Sequence, residues 1–226
     1  MRVASANLQH GVPDPVGRPA LSRAIAPLRA LGADVWGFQE LDHRRWRTWL
    51  ANQGDQLVDA LGGELVWAPA KRVFPGGQAN ALIVRGEVVE REVVELAGEG
   101  ELRVLALAVV VVGGRRWTVG TTHLALRPAV AREQLAETLH LLITRPGPWV
   151  LVGDLNLEPV DVNEVAEQHG FDVVAGPLTH SARRTPSRRL DHILTKGCTV
   201  RDSGVTKLPV SDHLAVWADV ATTSRR

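Results

Sequence analysis

The sequence predicts an α/β or α+β fold around one large core, and three observations carry that expectation. Short apolar runs alternate with amphipathic stretches through all 226 residues, and no repeat, linker or biased segment interrupts them. At roughly 150 residues per domain, that length favours one large domain over two small ones. Apolar residues at 45% and charged residues at 23% are both near the globular average, so a sizeable core is within reach.

Val3 to Gln9 reads as the first strand, and Pro19 to Leu31 as a helix broken or kinked near Pro27 with Gly32 as its stop. Asp34 to Gln39 is the second strand. From Asp42 to Leu61, Trp46, Trp49, Leu50, Leu57, Val58 and Leu61 fall at helical spacing. This predicts a helix in two pieces divided near Gly54, with both tryptophans in its core. Strands follow at Leu65 to Ala68 and Ala79 to Arg85. Leu102 to Val112 and Arg115 to Leu124 flank Gly113-Gly114, and a two-residue Gly-Gly link between β-rich runs predicts a tight hairpin. Pro128 to Ile143 is helical through Leu135, Leu139 and Leu142, and Pro146-Gly147-Pro148 parts it from a strand at Trp149 to Val152. The last third holds a short helix at Val160 to His169. Its strands are Phe171 to Val174, Leu190 to Leu194, Thr199 to Thr206 and Leu214 to Val220.

Composition removes several function classes. The longest apolar stretch, Val104 to Val112, is about half of what a bilayer-spanning helix needs, and no apolar leader follows Met1-Arg2, so no membrane insertion is expected. A lone cysteine, Cys198, leaves no internal disulfide and no multi-cysteine zinc site. That points to a reducing, cytoplasmic compartment, and to oxygen and nitrogen donors for any metal. A net charge of +1 gives no global field toward polyanions. Arginine supplies 23 of the 26 basic residues, a skew that GC-rich codons explain as well as phosphate binding does, so only the placement of the arginines carries functional weight.

The apolar runs share one feature: each meets a functional polar residue at its end or start. Val3 to Ala6 leads into Asn7, Val35 to Phe38 into Gln39-Glu40, and Trp117 to Gly120 into Thr121-Thr122-His123. Val150 to Val152 leads into Gly153-Asp154-Leu155-Asn156, Leu190 into Asp191, and Ser211-Asp212-His213 opens the last strand. Strand ends in a sheet protein converge on one edge, where crevices form. The carboxylates Glu40, Asp154 and Asp212 with two imidazoles and two amides would suit a hard divalent cation such as Mg²⁺, and would supply acid and base groups for hydrolysis.

Taken in order, Asn7, Gln39-Glu40, Thr122-His123-Leu124, Gly153-Asp154-Leu155-Asn156, Leu190-Asp191 and Ser211-Asp212-His213 resemble the endonuclease/exonuclease/phosphatase superfamily, the deoxyribonuclease I-like fold. The stretch GGQANALIVR, Gly76 to Arg85, is similar to the family's G-N-A-L-L-S-R strand and adds Asn80 as a substrate-binding candidate. The resemblance implies an α/β four-layer sandwich, two packed mixed β-sheets flanked by helices, with residues 1–226 as one catalytic domain. It implies that Glu40, Asn7 and Asp212 hold Mg²⁺, or Mn²⁺, and that Asp154, oriented by Asn156, positions or deprotonates the attacking water. Asp191 would fix His213, which with His123 would face the phosphoryl group. Which of Asp154 and the Asp191-His213 pair is the base stays open. Arg183, Arg184, Arg188 and Arg189 lie just before Asp191; as a solvated loop they need no function, and as a binding loop they would grip phosphate, Arg188 and Arg189 foremost.

Singly, each motif has a plainer reading. Asn7 could be a turn former, Glu40 a cap for the helix expected near Asp42, Asp154 and Asn156 a strand-to-helix turn pair, and Asp212 an N-terminal cap. His123 and His213 could be core histidines. Six pieces in one family's order outweigh those readings. His10, His43, His140, His169, His180 and His192 lack a partner at metal-ligand spacing and read as surface or packing residues. Abasic-site endonucleases of the family carry an acid or Asn two places after the first Asn, no histidine at the T-H-L position, and an active-site tyrosine. Gln9, His123 and the absence of any tyrosine disfavour that branch. The expectation is a metal-dependent phosphodiesterase, first a nuclease, with a hydrolase of small phosphoesters (phosphoinositide, sphingomyelin or nucleotide derivative) second and a catalytically silent binding module third. Its partner would be the phosphoester substrate, nucleic acid foremost, with no obligate protein partner.

Overall fold

In the computed structural model, which describes residues 1–12 and 18–223, the chain forms two mixed six-stranded sheets and four helices. The first sheet is ordered β11-β12-β1-β2-β4-β3 and the second β5-β6-β7-β8-β10-β9. The first comprises β1 (Arg2–Asn7), β2 (Val35–His43), β3 (Glu64–Val73), β4 (Gly76–Val84), β11 (Cys198–Lys207) and β12 (Leu214–Thr222). The second comprises β5 (Glu87–Leu96), β6 (Arg103–Val112), β7 (Arg115–His123), β8 (Trp149–Asp154), β9 (Asp172–Val173) and β10 (Asp191–Lys196). Each sheet holds one parallel pair, β1 with β2 and β7 with β8, among antiparallel neighbours.

The sheets stack face to face. Val3, Val35 and Leu82 of one meet Val104, Val119 and Val152 of the other in a dry core. Helices α1 (Ser22–Leu31) and α2 (Gln53–Leu61) cover the outer face of the first sheet through Leu28 and Leu57. Helices α3 (Pro128–Ile143) and α4 (Pro159–Gln168) cover the second through Leu135, Leu139 and Val165. The expected four-layer sandwich is therefore the fold. Among the described residues no helix is long and apolar enough to cross a membrane.

Local chemistry explains several element ends. Gly113 and Gly114, at φ 57° and 73°, make the tight turn between β6 and β7. Pro128 and Pro159 open α3 and α4, where a missing N–H costs nothing, and Gly32 at φ 61° closes α1. Pro27 lies inside α1 without dividing it.

The stretch from Asp42 to Leu61 departs from expectation. Asp42 and His43 extend β2, Trp46–Thr48 is one turn of 3-10 helix, and α2 begins only at Gln53, with Gly54 inside its first turn. Competing hydrogen bonds decide this. The Arg47 guanidinium grips the buried Asp42 carboxylate with two bonds of 2.7 Å, and the Asp42 N–H donates to Gln53 Oε1 at 2.7 Å, so the segment folds back on itself. Trp46 and Trp49 are consequently exposed rather than core residues. Strand β5 was not expected from sequence. It is an edge strand whose valines come in adjacent pairs, Val88-Val89 and Val93-Val94, with a register break between Val88 and Glu90, so it lacks the alternation that marks a half-buried strand.

Candidate active site

The two sheets approach closely where the parallel pairs face each other. A Cβ on Gly37 of β2 would sit 2.5 Å from Thr121 Oγ1 and from Val152 Cγ2, so only glycine fits. Beside it, buried Gln39 donates from Nε2 to Thr121 Oγ1 of the opposite sheet at 2.8 Å and to Ser5 Oγ at 3.1 Å. This polar bridge locks the ends of β1 and β2 against those of β7 and β8.

Register then aligns the functional side chains. Asn7 ends β1, His123 ends β7 opposite Asp154 at the end of β8, and Asp191 at the start of β10 is also opposite Asp154. Glu40 lies in a break of the β2–β4 register between Phe38 and Leu41, at φ 57°. The bulge takes it out of strand alternation and onto the wall of the cleft. Ser211 Oγ donates to the Asn7 carbonyl at 2.6 Å and accepts from the His213 N–H at 2.9 Å, which fixes His213 beside β1.

Asp154 is the hub. Asn7 Nδ2 donates to Asp154 Oδ2 and to Glu40 Oε1, each at 3.0 Å, while Asn7 Oδ1 accepts from the Gln9 N–H at 3.0 Å. His123 Nε2 and His213 Nε2 lie 3.6 and 3.7 Å from Asp154 Oδ2. The Asn156 N–H donates to Asp154 Oδ1 at 3.2 Å, and the Asn156 side chain donates to the Leu124 carbonyl at 2.9 Å; the residue sits at φ 51°, a conformation Asn tolerates. His213 Nδ1–H donates to Asp191 Oδ2 at 2.8 Å. Asp212 stands on the cleft wall, 4.0 Å from His213 Nε2, and accepts from Gln9 Nε2 at 3.2 Å.

Electrostatics follow from this packing. Burial pushes Asp154 up, but the His123 and His213 imidazoles and the Asn7 and Asn156 donors outweigh it and hold the carboxyl below the usual range. Burial would lower His213, yet Asp191, with Asp154 and Asp212 behind it, lifts the imidazole to about 10. Burial raises Asp191 as well, and its ion pair with His213 only partly offsets this.

Sequence reasoning placed Asn7, Glu40, His123, Asp154, Asn156, Asp191, Asp212 and His213 in one site; six of them line a cleft of about 780 Å³, and Asn7 and Asp191 join it through their hydrogen bonds to Asp154 and His213. Arg188 stands on the same cleft wall, its Nε donating to Glu158 Oε1 at 2.6 Å. Asn80 is buried in an annex of about 220 Å³ that opens beside His123, and donates to the Val104 carbonyl at 3.1 Å. Arg189 points away from the cleft. It is buried, donates to the Val174 carbonyl, and lines a separate pocket with Trp217.

Two histidines set aside on sequence also belong here. His10 Nε2 is 3.1 Å from Glu40 Oε2, with Nδ1 3.1 Å from the Glu40 carbonyl. His180 Nε2 is 3.7 Å from Asp212 Oδ2, and its ring centroid is 4.7 Å from that of His213. The available signal for His10 was its place just past the end of β1, the same position in a strand that marked the other site residues. Lys71, Glu101 and Arg103 form the annex wall: Lys71 Nζ and Arg103 Nη2 reach Glu101 at 2.7 and 3.3 Å. Nothing in their sequence context announces them.

The described residues offer two groups with metal-holding geometry, His180 with Asp212 and His213, and Asp154 with Asp191 and His213. Glu40, a quarter exposed, presents a further hard oxygen donor to the cleft.

A model of the Endonuclease/Exonuclease/phosphatase family matches residues 4–213. Among solved structures the chain is similar to an endonuclease/exonuclease/phosphatase from Beutenbergia cavernae, 20% identical with TM-score 0.78, covering 98% of this chain and 71% of that one. It is similar to the human Nocturnin catalytic domain with bound sulfate, 20% identical with TM-score 0.76, covering 99% and 94%. It is also similar to D. rerio TDP2 complexed with single strand DNA product, 19% identical with TM-score 0.76, covering 98% and 99%. At these identities the likeness shows the fold. No curated protein matches the sequence.

Proposed function

The chain belongs to the endonuclease/exonuclease/phosphatase family of phosphoester hydrolases, and on that premise we propose that it is a divalent-metal-dependent phosphodiesterase, a nuclease first, that breaks phosphodiester bonds with activated water. Residues 1–226 act as one catalytic domain, a reading supported by the common core between the sheets. The single cysteine, buried and unpaired, keeps a cytoplasmic setting as part of the same reading.

The donor set fits a hard cation. Glu40 and Asp212 offer carboxylate oxygens on the cleft wall, and Asn7, with its amide turned so that the oxygen faces Glu40, would complete the set that holds Mg²⁺ or Mn²⁺. When bound, such an ion supplies charge neutralisation at a phosphoryl oxygen and at the leaving oxygen. The protein's own groups do the rest. Asp154, held ionised by its neighbours and oriented by Asn7 and Asn156, aligns a water and accepts its proton. His213, favoured in its protonated form by Asp191, donates from Nε2–H to the phosphoryl oxygens as charge builds. His123, whose Nε2 also lies close to Asp154 Oδ2, adds a second donor.

The observation that carries this reading is the Asp154 carboxylate set between two imidazole Nε2 atoms at 3.6 and 3.7 Å. Hydrolysis of plasmid DNA, RNA and bis(p-nitrophenyl) phosphate should stop in EDTA and return with Mg²⁺ or Mn²⁺, and Asp154→Asn should cost about 10²-fold or more. Undiminished turnover with metal excluded by analysis would overturn the mechanism. The second reading, a hydrolase of small phosphoesters such as a phosphoinositide, sphingomyelin or nucleotide derivative, draws support from the compact annex with Lys71 and Arg103 on its wall. A silent binding module would gain nothing from a complete acid and histidine set.

A further inference from the structure

Trp46 and Trp49 stand on the rim of the catalytic cleft with 67% and 73% of their surface exposed. A tryptophan ordinarily buries most of its ring, so two free indoles beside an active site call for a partner. The segment that carries them is held tightly. Arg47 is pinned to buried Asp42, Arg45 Nη1 donates to the Val73 carbonyl at 3.1 Å, and Thr48 is buried. The N–H groups of Trp49, Leu50 and Ala51 bond back to Trp46, Arg45 and Thr48 at 2.9 to 3.0 Å. Trp49 and Leu50 both adopt left-handed backbone, at φ 53° and 61°, which costs free energy that an idle surface loop would not retain. The arginines anchor the loop and the rings are left outside it. Such a platform is ordered before a ligand arrives, so stacking on it loses little conformational entropy.

The cleft those rings border also carries Glu40, Asp154, Asp212 and His213, together with Arg18 and Arg188. A ligand there must offer a planar face to the indoles and an anion to the polar wall. An acyl chain would need a continuous apolar floor, and here arginines alternate with the rings. A base in a duplex already has both faces stacked, whereas an unpaired base presents one freely.

We propose that Trp46 and Trp49 form a stacking platform for unpaired bases of a single-stranded polynucleotide whose phosphodiester lies in the cleft, which makes a single strand the substrate class. The inference rests on the phosphodiesterase reading for the position of the phosphate, but its test reads binding rather than turnover, so the two fail separately. In an Asp154→Asn background with Mg²⁺, fluorescence anisotropy compares a dT strand of about ten nucleotides with a strand of equal length and charge in which tetrahydrofuran replaces every base. The base-bearing strand should bind roughly tenfold or more tightly, the Trp46→Ala/Trp49→Ala variant should bring the two within about twofold, and Trp46→Phe/Trp49→Phe should keep most of the preference. Equal or absent binding of the two strands, or a preference unchanged by the alanines, overturns the platform. So does tryptophan-dependent cosedimentation with phosphatidylserine/phosphatidylcholine vesicles without any base preference, which would identify a membrane surface instead.

Discussion

Mild acid should destabilise this protein through one buried imidazole. His192 follows Asp191 in β10 with no exposed surface; its Nε2–H is shared between the Leu157 and Arg189 carbonyls at 3.0 and 3.1 Å, and its Nδ1 has no partner. Burial above all, and the Arg189 guanidinium after it, lower its pKa from 6.5 to about 4. Between those two values the unfolded chain binds a proton that the folded chain refuses. The contribution is therefore intact above 6.5 and is lost as pH falls toward 4. At about 1.4 kcal/mol per pH unit, the gap amounts to about 3 kcal/mol in the limit and about 2 kcal/mol by about pH 5. His192→Gln keeps an amide donor for the two carbonyls and cannot ionise. Urea denaturation of both proteins at about pH 7.5 and about pH 5 isolates the effect, since every other titrating group is shared. The variant should lose about 2 kcal/mol less on acidification than wild type. Parallel losses in the two proteins would refute the claim that a neutral imidazole is enclosed here.

Three further outcomes follow from distances already given. Gly37→Ala puts a methyl 2.5 Å from Thr121 Oγ1 and Val152 Cγ2 and should destabilise by about 1–3 kcal/mol, read as a lower Tm by calorimetry; an unchanged Tm would mean that the sheets do not meet so closely. Asp191→Asn and His213→Ala should each lower kcat about 10²-fold or more, with the double variant far short of the product, because the two act as one unit at 2.8 Å; near-wild-type rates in His213→Ala would remove it from the chemistry. Arg188→Ala should reduce the log–log salt slope of strand binding by about one, while Arg189→Ala, buried on the other face, should lower stability and leave the slope alone; a changed slope in the second variant would contradict its placement.

The strands with continuous apolar cores were legible, as was α3 with its Pro128 start and the Gly113-Gly114 hairpin, because periodicity and turn chemistry act locally. The clustering of the candidate site residues was legible for a related reason: Asn7, Glu40, His123, Asp154, Asp191 and the Ser211-Asp212-His213 run all sit where an apolar strand meets polar chain. What escaped depends on distant partners. The fold-back of residues 42–52 is set by Asp42 gripping Arg47 and Gln53, which cancels a helical spacing that Trp46 and Trp49 mimic. Strand β5 is defined by β6 beside it and not by its own pattern. Arg189 and Arg188 are neighbours in sequence, and only their distant partners, the Val174 carbonyl and Glu158, separate the buried one from the one on the cleft. His10 and His180 gain their meaning from Glu40 and Asp212, which lie 30 and 32 residues away.

Strand β1 lies inside its sheet between β2 and β12, and Ser211 reaches the Asn7 carbonyl across 204 residues of chain. During synthesis, the stretch carrying Asp212, His213 and β12 leaves the ribosome long after β1, β2, β7 and β8. Until then β1 has an open flank, and the cleft lacks both the second of the two imidazoles beside Asp154 and one wall. A nascent chain can collapse around its apolar strands and still hold no competent centre. Any chemistry that needs His213 is thereby withheld until the last strand of the first sheet has paired with β1.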